Sequence, residues 1–187
     1  MSKLLVAWHH FKTITMHRIL VMQGCFKMGL YWQGLTHDLS KYSLKELSIY
    51  KYYTGTESPH KTARRILGFS PSWLYHKAKN KHHWEYWTDN NSNQSFKGVK
   101  VPYKYVIEMF CDFIGAGKAY MKESWSQEEP LKYFNARKDS ALYHEDTKAL
   151  LQKLFEKLAI YGEKGFLEYY KSFKSILKAQ YNAKQGG

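Results

Sequence analysis

An all-α fold is predicted for this chain, and three observations lead to it. Apolar residues recur at helical spacing along most of the 187 residues, and no stretch shows the alternation that is typical of β-strands. The hydrophobic content of 44% and the aromatic content of 17% are sufficient for a packed core. The length fits one domain over residues 1–187, with a core at about residues 10–124 and a helical extension at about residues 138–183.

The first third of the chain is predicted to be helical, with breaks at glycines and polar residues. Residues 4–32 carry apolar side chains at helical spacing. This pattern predicts one long helix or two in succession, with weak points at Gly24 and Gly29. Ser43 followed by Glu46 is a capping-box pattern, which predicts a further helix that runs to about residue 53.

The rest of the chain is predicted to hold helices separated by polar loops. Residues 88–95 form the most polar stretch and are expected to be a loop. A helix is expected over about residues 103–122, followed by a loop at about residues 126–135. Two Lys-rich amphipathic helices are predicted near residues 140–160 and 164–181, with an apolar stripe that should pack on the core.

The charge of the chain favours acidic partners. The formal net charge is +13, from 29 basic and 16 acidic residues. Such a balance suits a small phosphorylated substrate, nucleic acid or another anionic surface, but a solvated Lys-rich surface explains it equally well. No recognition motif supports nucleic-acid binding. The sequence does not indicate an oligomeric state.

Cysteine usage and hydropathy indicate the compartment. Cys25 and Cys111 both fall inside apolar helical patterns, which predicts buried free thiols in a reducing environment and no disulfide. The chain has no run of about 18 apolar residues, so no membrane span is expected. Residues 1–8 also lack the apolar core and cleavage site of a signal peptide. The protein is therefore expected in the cytoplasm.

An ordered series of metal-ligating residue types runs through the first two thirds of the chain. Each member falls on a predicted helix or its end, so helices could bring the series together inside a bundle. Imidazole and carboxylate ligands favour Fe or Mn, and Co or Zn also fit. Seven donors exceed what one open site needs, which predicts two ions with Asp38 as the carboxylate between them. The series is His17, His37, Asp38, His76, His82, His83 and Asp112.

This order of residues resembles the HD-domain superfamily of helical metal-dependent phosphohydrolases, and its multi-metal branch most of all. Lys41 follows Asp38 by three positions, as a lysine follows the signature His-Asp pair in that superfamily. Fragments between residues 16 and 119 also resemble a family of small bacterial proteins of unknown function. The Gly-Tyr-Pro segment of cyclic-dinucleotide enzymes is absent after His83, so cyclic di-GMP is not expected as the substrate.

The resemblance implies a role for each residue of the series. One metal would be held by His17, His37, Asp38 and Asp112, and a second by Asp38, His76 and one or both of His82 and His83. A water or hydroxide between the two metals would attack the substrate, with Asp38 and Lys41 as catalytic residues. Lys41, Asn80 and Trp84 would contact the substrate.

Three further residues stand outside this series. Glu108 lies four residues before Asp112 and so shares its helix face, where it could support a ligating histidine or bind an additional metal. His10 shares the face of His17, but it is not expected to be a ligand. His60 stands among polar residues and is expected at the surface.

Three functions remain open from the sequence. The favoured interpretation is an HD-like helical bundle with added C-terminal helices, acting as a phosphohydrolase on a nucleotide or small phosphorylated metabolite. A second is a di-iron oxygenase on the same scaffold, since that branch of the superfamily uses a similar ligand set. A third is a non-catalytic basic helical module that binds nucleic acid or a partner protein.

Overall fold

The computed structural model of the protein describes residues 3–54, 57–90 and 92–183. The described part is all-α apart from one small hairpin, which confirms the predicted fold class. The helices are α1 (Lys3–Lys27), α2 (Tyr31–Thr36), α3 (Leu44–Leu47), α4 (Pro59–Leu67), α5 (Pro71–Lys79), α6 (Tyr103–Met121), α7 (Glu129–Asn135) and α8 (Glu145–Ala183). Short 3₁₀ helices lie at Leu39–Tyr42, Ser48–Tyr52, Trp84–Trp87 and Lys122–Ser124.

The long first helix ends two residues before Gly29, the second of the two predicted weak points. α1 runs through Gly24 without a break, and the chain then turns at Gly29, which has a φ of 76°. A left-handed residue just after a helix commonly ends it, and glycine adopts that conformation without steric cost. The residues after this turn form the separate short helix α2.

The core lies between α1, α6 and α8, whose apolar faces meet. α6 contributes a fully buried face that packs against α1 on one side and α8 on the other. The C-terminal helices thus share one hydrophobic cluster with the helices that carry the predicted metal ligands. Core side chains of this cluster include Val21, Cys25, Val106, Ile107, Phe110, Leu151, Leu154 and Phe155.

A close approach of α1 and α6 depends on Gly115. A Cβ added at this position would lie 2.4 Å from Val21 Cγ2 and 3.2 Å from the Val21 backbone nitrogen. We expect Gly115→Ala to lower the free energy of unfolding by about 1–3 kcal/mol, because the two helices would have to separate. Urea unfolding followed by circular dichroism measures this change.

Gly165→Ala is the matched control for that substitution. Its added Cβ would approach the side chain of Tyr161 at 3.1 Å, and among the described residues no other helix would be contacted within 4 Å. Because the helical backbone at this position favours alanine over glycine and no second helix has to move, this variant should lose less stability than Gly115→Ala. Equal stability of both variants would contradict a close packing of α1 on α6 at Gly115.

Two stretches that were predicted as loops contain regular structure. Of the predicted loop at residues 88–95, residues 88–90 form β1 (Thr88–Asn90), which pairs antiparallel with β2 (Phe96–Gly98), with Thr88 opposite Gly98. Residues 92–95 are a turn between the strands, as predicted, and residue 91 lies outside the described residues. These strands of three residues are too short to show alternation, so periodicity could not reveal them. The predicted loop at residues 126–135 contains α7, whose first turn holds Pro130 and whose Phe134 is buried in the core.

Other elements agree with their predictions. α8 is two helical segments divided at Gly162 (φ 64°, ψ 176°), close to the predicted gap between the last two helices. Cys25 and Cys111 are free and buried. A hydrogen bond with Cys25, together with burial, raises the pKa of the Cys111 thiol. Within the described ranges, no helix combines the length and the apolar character that a membrane crossing requires.

Candidate metal centre

The candidate site lies where α1, α5, α6 and the end of α2 meet. Asp38 follows α2 in the left-handed conformation (φ 54°, ψ 22°), which aspartate adopts more readily than most residues. The chain turns there into the 3₁₀ helix Leu39–Tyr42. His37 and Asp38 are each only 1% exposed, so this turn buries two adjacent polar side chains at one place.

The first donor group consists of His17, His37, Asp38 and Asp112. His17 Nε2 lies 3.2 Å from Asp38 Oδ2 and 3.1 Å from Asp112 Oδ1. His37 Nε2 lies 3.3 Å from Asp38 Oδ2 and 3.5 Å from Asp112 Oδ1. Ligands held about 2.0–2.2 Å from one ion are themselves about 3.0–3.6 Å apart, so these spacings suit a common metal ion.

The second donor group consists of Asp38, His76, His82 and His83. His76 Nε2 and His82 Nε2 lie 3.3 Å and 3.4 Å from Asp38 Oδ1. His76 Nε2 lies 2.8 Å from His83 Nε2. Asp38 belongs to both groups, with Oδ2 facing the first and Oδ1 facing the second.

Buried atoms at the centre of this arrangement lack hydrogen bonds. Over the described residues, neither Asp38 Oδ1 nor His82 Nε2 has a hydrogen-bond partner, although both are inaccessible to solvent. Buried polar atoms without partners are costly, and the ammonium of Lys41 contacts only Oδ2 of Asp38, not Oδ1. A metal ion would satisfy both atoms, so the residues present fit a metal.

Glu108 supports two of the histidines from behind. Its Oε1 lies 3.0 Å from His37 Nδ1 and 3.1 Å from His82 Nδ1, while Nε2 of each ring faces a donor group. Burial raises the pKa of Glu108, but hydrogen bonds from His37 and His82 outweigh it, and the pKa is lowered. An ionised carboxylate that accepts from Nδ1–H leaves Nε2 free to bind a metal. The geometry therefore favours support of the histidines over binding of an additional metal.

Glu46 plays the same part for His76, although the sequence indicated only a capping role for it. Its Oε2 lies 2.6 Å from His76 Nδ1. Ser43 Oγ does accept a hydrogen bond from the Glu46 backbone, as a capping box requires. The side chain, however, reaches His76, 30 positions away in sequence, instead of completing the cap. The local pattern explained Glu46 fully, so no sequence signal connected it with the site.

The predicted substrate contacts have different surroundings. Lys41 Nζ lies 2.6 Å from Asp38 Oδ2. Burial lowers the pKa of Lys41, but the Asp38 and Asp112 carboxylates outweigh it, so the pKa is raised and the side chain stays charged.

Asn80 is buried and donates to Ser40 Oγ and to the His76 carbonyl. Trp84 lines the cavity described below, with its ring 5.8 Å from that of Tyr143. The substrate roles of all three stay predictions.

The protonation of the two aspartates suits cation binding. Burial raises the pKa of Asp38, but His37, Lys41 and His76 together hold it well below its usual value. Burial also raises the pKa of Asp112, but hydrogen bonds from His17 and His37 hold it well below its usual value. Burial and the neighbouring His82 and His76 lower the pKa of His83. The site thus offers ionised carboxylates beside an imidazole that is neutral at physiological pH.

A cavity of about 670 Å³ opens onto both donor groups. Its lining includes His17, Asp112 and His83, so a small molecule inside it would reach the donor atoms. His10 and His60 also line this cavity. His60 is half-buried rather than fully exposed at the surface as expected, because Ser70 Oγ and the Trp73 ring hold its imidazole at the cavity wall.

The chain has a match among known protein families. Residues 6–157, most of the chain, match the model of the family of unknown function DUF5662. The chain belongs to this family. Neither the curated proteins nor the solved structures contain a match. These comparisons give no support to the HD-domain resemblance, which stays a prediction. The DUF5662 description names no activity, so the function has to come from the chemistry of the site.

Proposed function

We propose that this DUF5662 member is a metal-dependent phosphohydrolase of the HD type, with two metal ions that share Asp38. One observation supports this proposal above the others. Each oxygen of the Asp38 carboxylate faces a different group of nitrogen and oxygen donors. A carboxylate between two metal ions is a common feature of hydrolytic two-metal sites.

The donor groups define which residues would hold each ion. The first ion would be held by His17, His37, Asp38 and Asp112, and the second by Asp38, His76, His82 and His83. Both sets mix imidazole with carboxylate, which favours Fe or Mn, and Co or Zn also fit. Mg and Ca prefer shells made of oxygen alone, so they suit these sets less well.

The protein residues around the ions have distinct tasks. When bound, two metal ions activate water and polarise a phosphoryl oxygen, which is the chemistry that phosphoester hydrolysis needs. The Lys41 ammonium is placed at Asp38, where it can bind a phosphoryl oxygen and stabilise negative charge in the transition state. Glu46 and Glu108 orient the histidine rings.

The cavity bounds the size of the substrate. Its volume of about 670 Å³ is that of a pocket for a small molecule such as a nucleotide or phosphorylated metabolite. The net charge of +13 favours such an anionic ligand. A nucleic acid remains compatible with the charge, but no recognition motif supports it.

Metal analysis followed by a phosphoester screen tests the proposal. Protein purified without added metal is expected to carry about two equivalents of Fe or Mn, because two complete donor groups are present. The loaded protein should hydrolyse p-nitrophenyl phosphate or nucleotides, and chelation should remove this activity. Elemental analysis and phosphate release are the measurements.

Other outcomes would contradict the proposal in separate ways. Bound iron with oxygen uptake, but no phosphoester hydrolysis, would favour a di-iron oxygenase. One equivalent of metal would contradict the second ion. No metal after purification, and none after supply of Fe, Mn, Co or Zn, would leave the basic binding module as the function.

A further inference from the structure

One wall of the cavity carries a group of basic side chains that the metal centre does not use. On α4, His60, Lys61 and Arg64 line the cavity. These residues are spaced i, i+1 and i+4, so His60 and Arg64 lie on one face of the helix with Lys61 beside them. His10 on α1 and Lys41 line the same cavity. We call His10, His60, Lys61 and Arg64 the basic wall.

The basic wall is continuous with the metal centre at two points. Lys41, which contacts Asp38, lowers the pKa of both His10 and His60 through its charge, after the larger effect of burial. The pKa falls to about 4 for His10 and to about 3 for His60. At the second point, the Trp73 ring contacts one residue of the metal centre and one residue of the basic wall. It lies 4.8 Å from the His83 ring and 5.4 Å from the Arg64 guanidinium.

The positive charge of the wall is not cancelled by the acids near it. Considering the described residues only, the side chains of Lys61 and Arg64 form no ion pair, and His10 Nδ1 is buried without a hydrogen bond. Glu57 also lines the cavity, but Thr62 and Arg65 hold its carboxylate. Glu85 lines the same cavity and interacts electrostatically with Arg64, but within the described residues the two side chains form no ion pair. In that part of the chain, the groups on this wall that lack an ion-pair or hydrogen-bond partner are therefore the cations Lys61 and Arg64 and one imidazole nitrogen of His10.

We propose that the basic wall is a second phosphoryl subsite, so that the substrate is a diphosphate-type compound such as a nucleoside diphosphate. This inference rests on the proposed phosphohydrolase function and names its substrate class. One phosphoryl group occupies the metal centre beside Lys41. The adjoining phosphoryl group contacts the buried His10, the half-buried His60 and the exposed Arg64, with the exposed Lys61 beside them. Arginine and histidine at such a place bind phosphate oxygens through charge-assisted hydrogen bonds.

The affinity for two ligands that differ by one phosphoryl group tests this subsite. The probes are AMP, used as its non-hydrolysable 5′-methylenephosphonate analogue, and the α,β-methylene analogue of ADP, which cannot be hydrolysed at its bridge between the phosphorus atoms. Calorimetry uses full-length protein loaded with Mn, at constant free Mn. The parent should bind the diphosphate analogue at least about 10-fold more tightly than AMP, because charged hydrogen bonds contribute on this scale.

Variants of α4 assign that preference to the wall. The double variant His60→Gln/Arg64→Gln should lose most of the preference for the diphosphate analogue, while its affinity for AMP and its metal content stay close to those of the parent. Arg65→Gln is the matched control. It removes the same charge from the same helix, but its side chain is 69% exposed and does not itself line the cavity, although its partner Glu57 does. It should keep the preference.

His10→Gln gives an independent check from α1, with exposed His9→Gln as its control. Equal affinity of the parent for the two probes would overturn the subsite, and so would a preference that survives in the double variant. These binding results do not depend on turnover. If the preference holds but no phosphoester is hydrolysed, the proposed function fails while the subsite stands. If a phosphoester is hydrolysed but the parent shows no preference for the diphosphate analogue, the subsite fails while the proposed function stands.

Discussion

Asp38→Asn is expected to abolish stable metal binding at both donor groups at once. The asparagine side chain has nearly the same shape, but it has lost its negative charge and one of the two oxygens that face the groups. Changes to residues that merely support ligands cost about 10–100-fold in metal affinity, so loss of a shared ligand should cost more than about 100-fold. Phosphoester hydrolysis should fall to background with it. Elemental analysis after dialysis and an activity assay measure the two effects.

The matched control for this substitution is Asp139→Asn. Asp139 is 75% exposed and contacts Lys148 at the surface, so its loss should change neither metal content nor activity. Circular dichroism establishes that both variants keep their helices. Full loading of Asp38→Asn with two equivalents would contradict a carboxylate shared by two ions.

Glu108→Gln is expected to weaken the binding of both metal ions, whereas Glu46→Gln should weaken the binding of one. Glu108 accepts from His37, which belongs to the first donor group, and from His82, which belongs to the second. Among the described residues, the side chain of Glu46 accepts from His76 alone. Loss of the carboxylate charge should lower the affinity by about 10–100-fold at each group that the variant touches.

Titration of each variant with metal, measured by calorimetry, distinguishes the two variants. Glu108→Gln should show two weakened binding events, and Glu46→Gln should show one weakened and one unchanged event. If Glu108→Gln bound both ions as tightly as the parent, support of the histidines through Nδ1 would be wrong. If Glu46→Gln weakened both events, the two donor groups would be coupled more strongly than their geometry indicates.

The predictability of the fold followed the length of each element. α1 and α6 have 25 and 19 residues, long enough for their apolar periodicity to be read from the sequence alone. α7 and the β-hairpin are made of seven and three residues per element, and they were missed. Elements this short are stabilised by what they contact, such as Phe134 in the core, and contacts of that kind have no periodic signature.

The predictability of the site followed the chemistry of each residue type. All seven residues of the predicted series lie in the two donor groups, because clustered histidines and aspartates in apolar helices have few other uses. Glu46 had a local explanation as a capping residue, which concealed its contact with His76. His10 and His60 were not expected to matter, and only the path of α1 and α4 places them on the cavity wall.

The sequence by itself determined the helical class, the long helices and the set of residues that could hold metal, since periodicity and residue chemistry are properties of the chain. The tertiary structure alone decided how these residues are used. It placed Asp38 in a left-handed turn with one oxygen toward each donor group. It also brought Glu108 between two histidines 71 and 26 positions away in sequence. Distances across a bundle depend on how helices pack, and no local pattern in the chain records them.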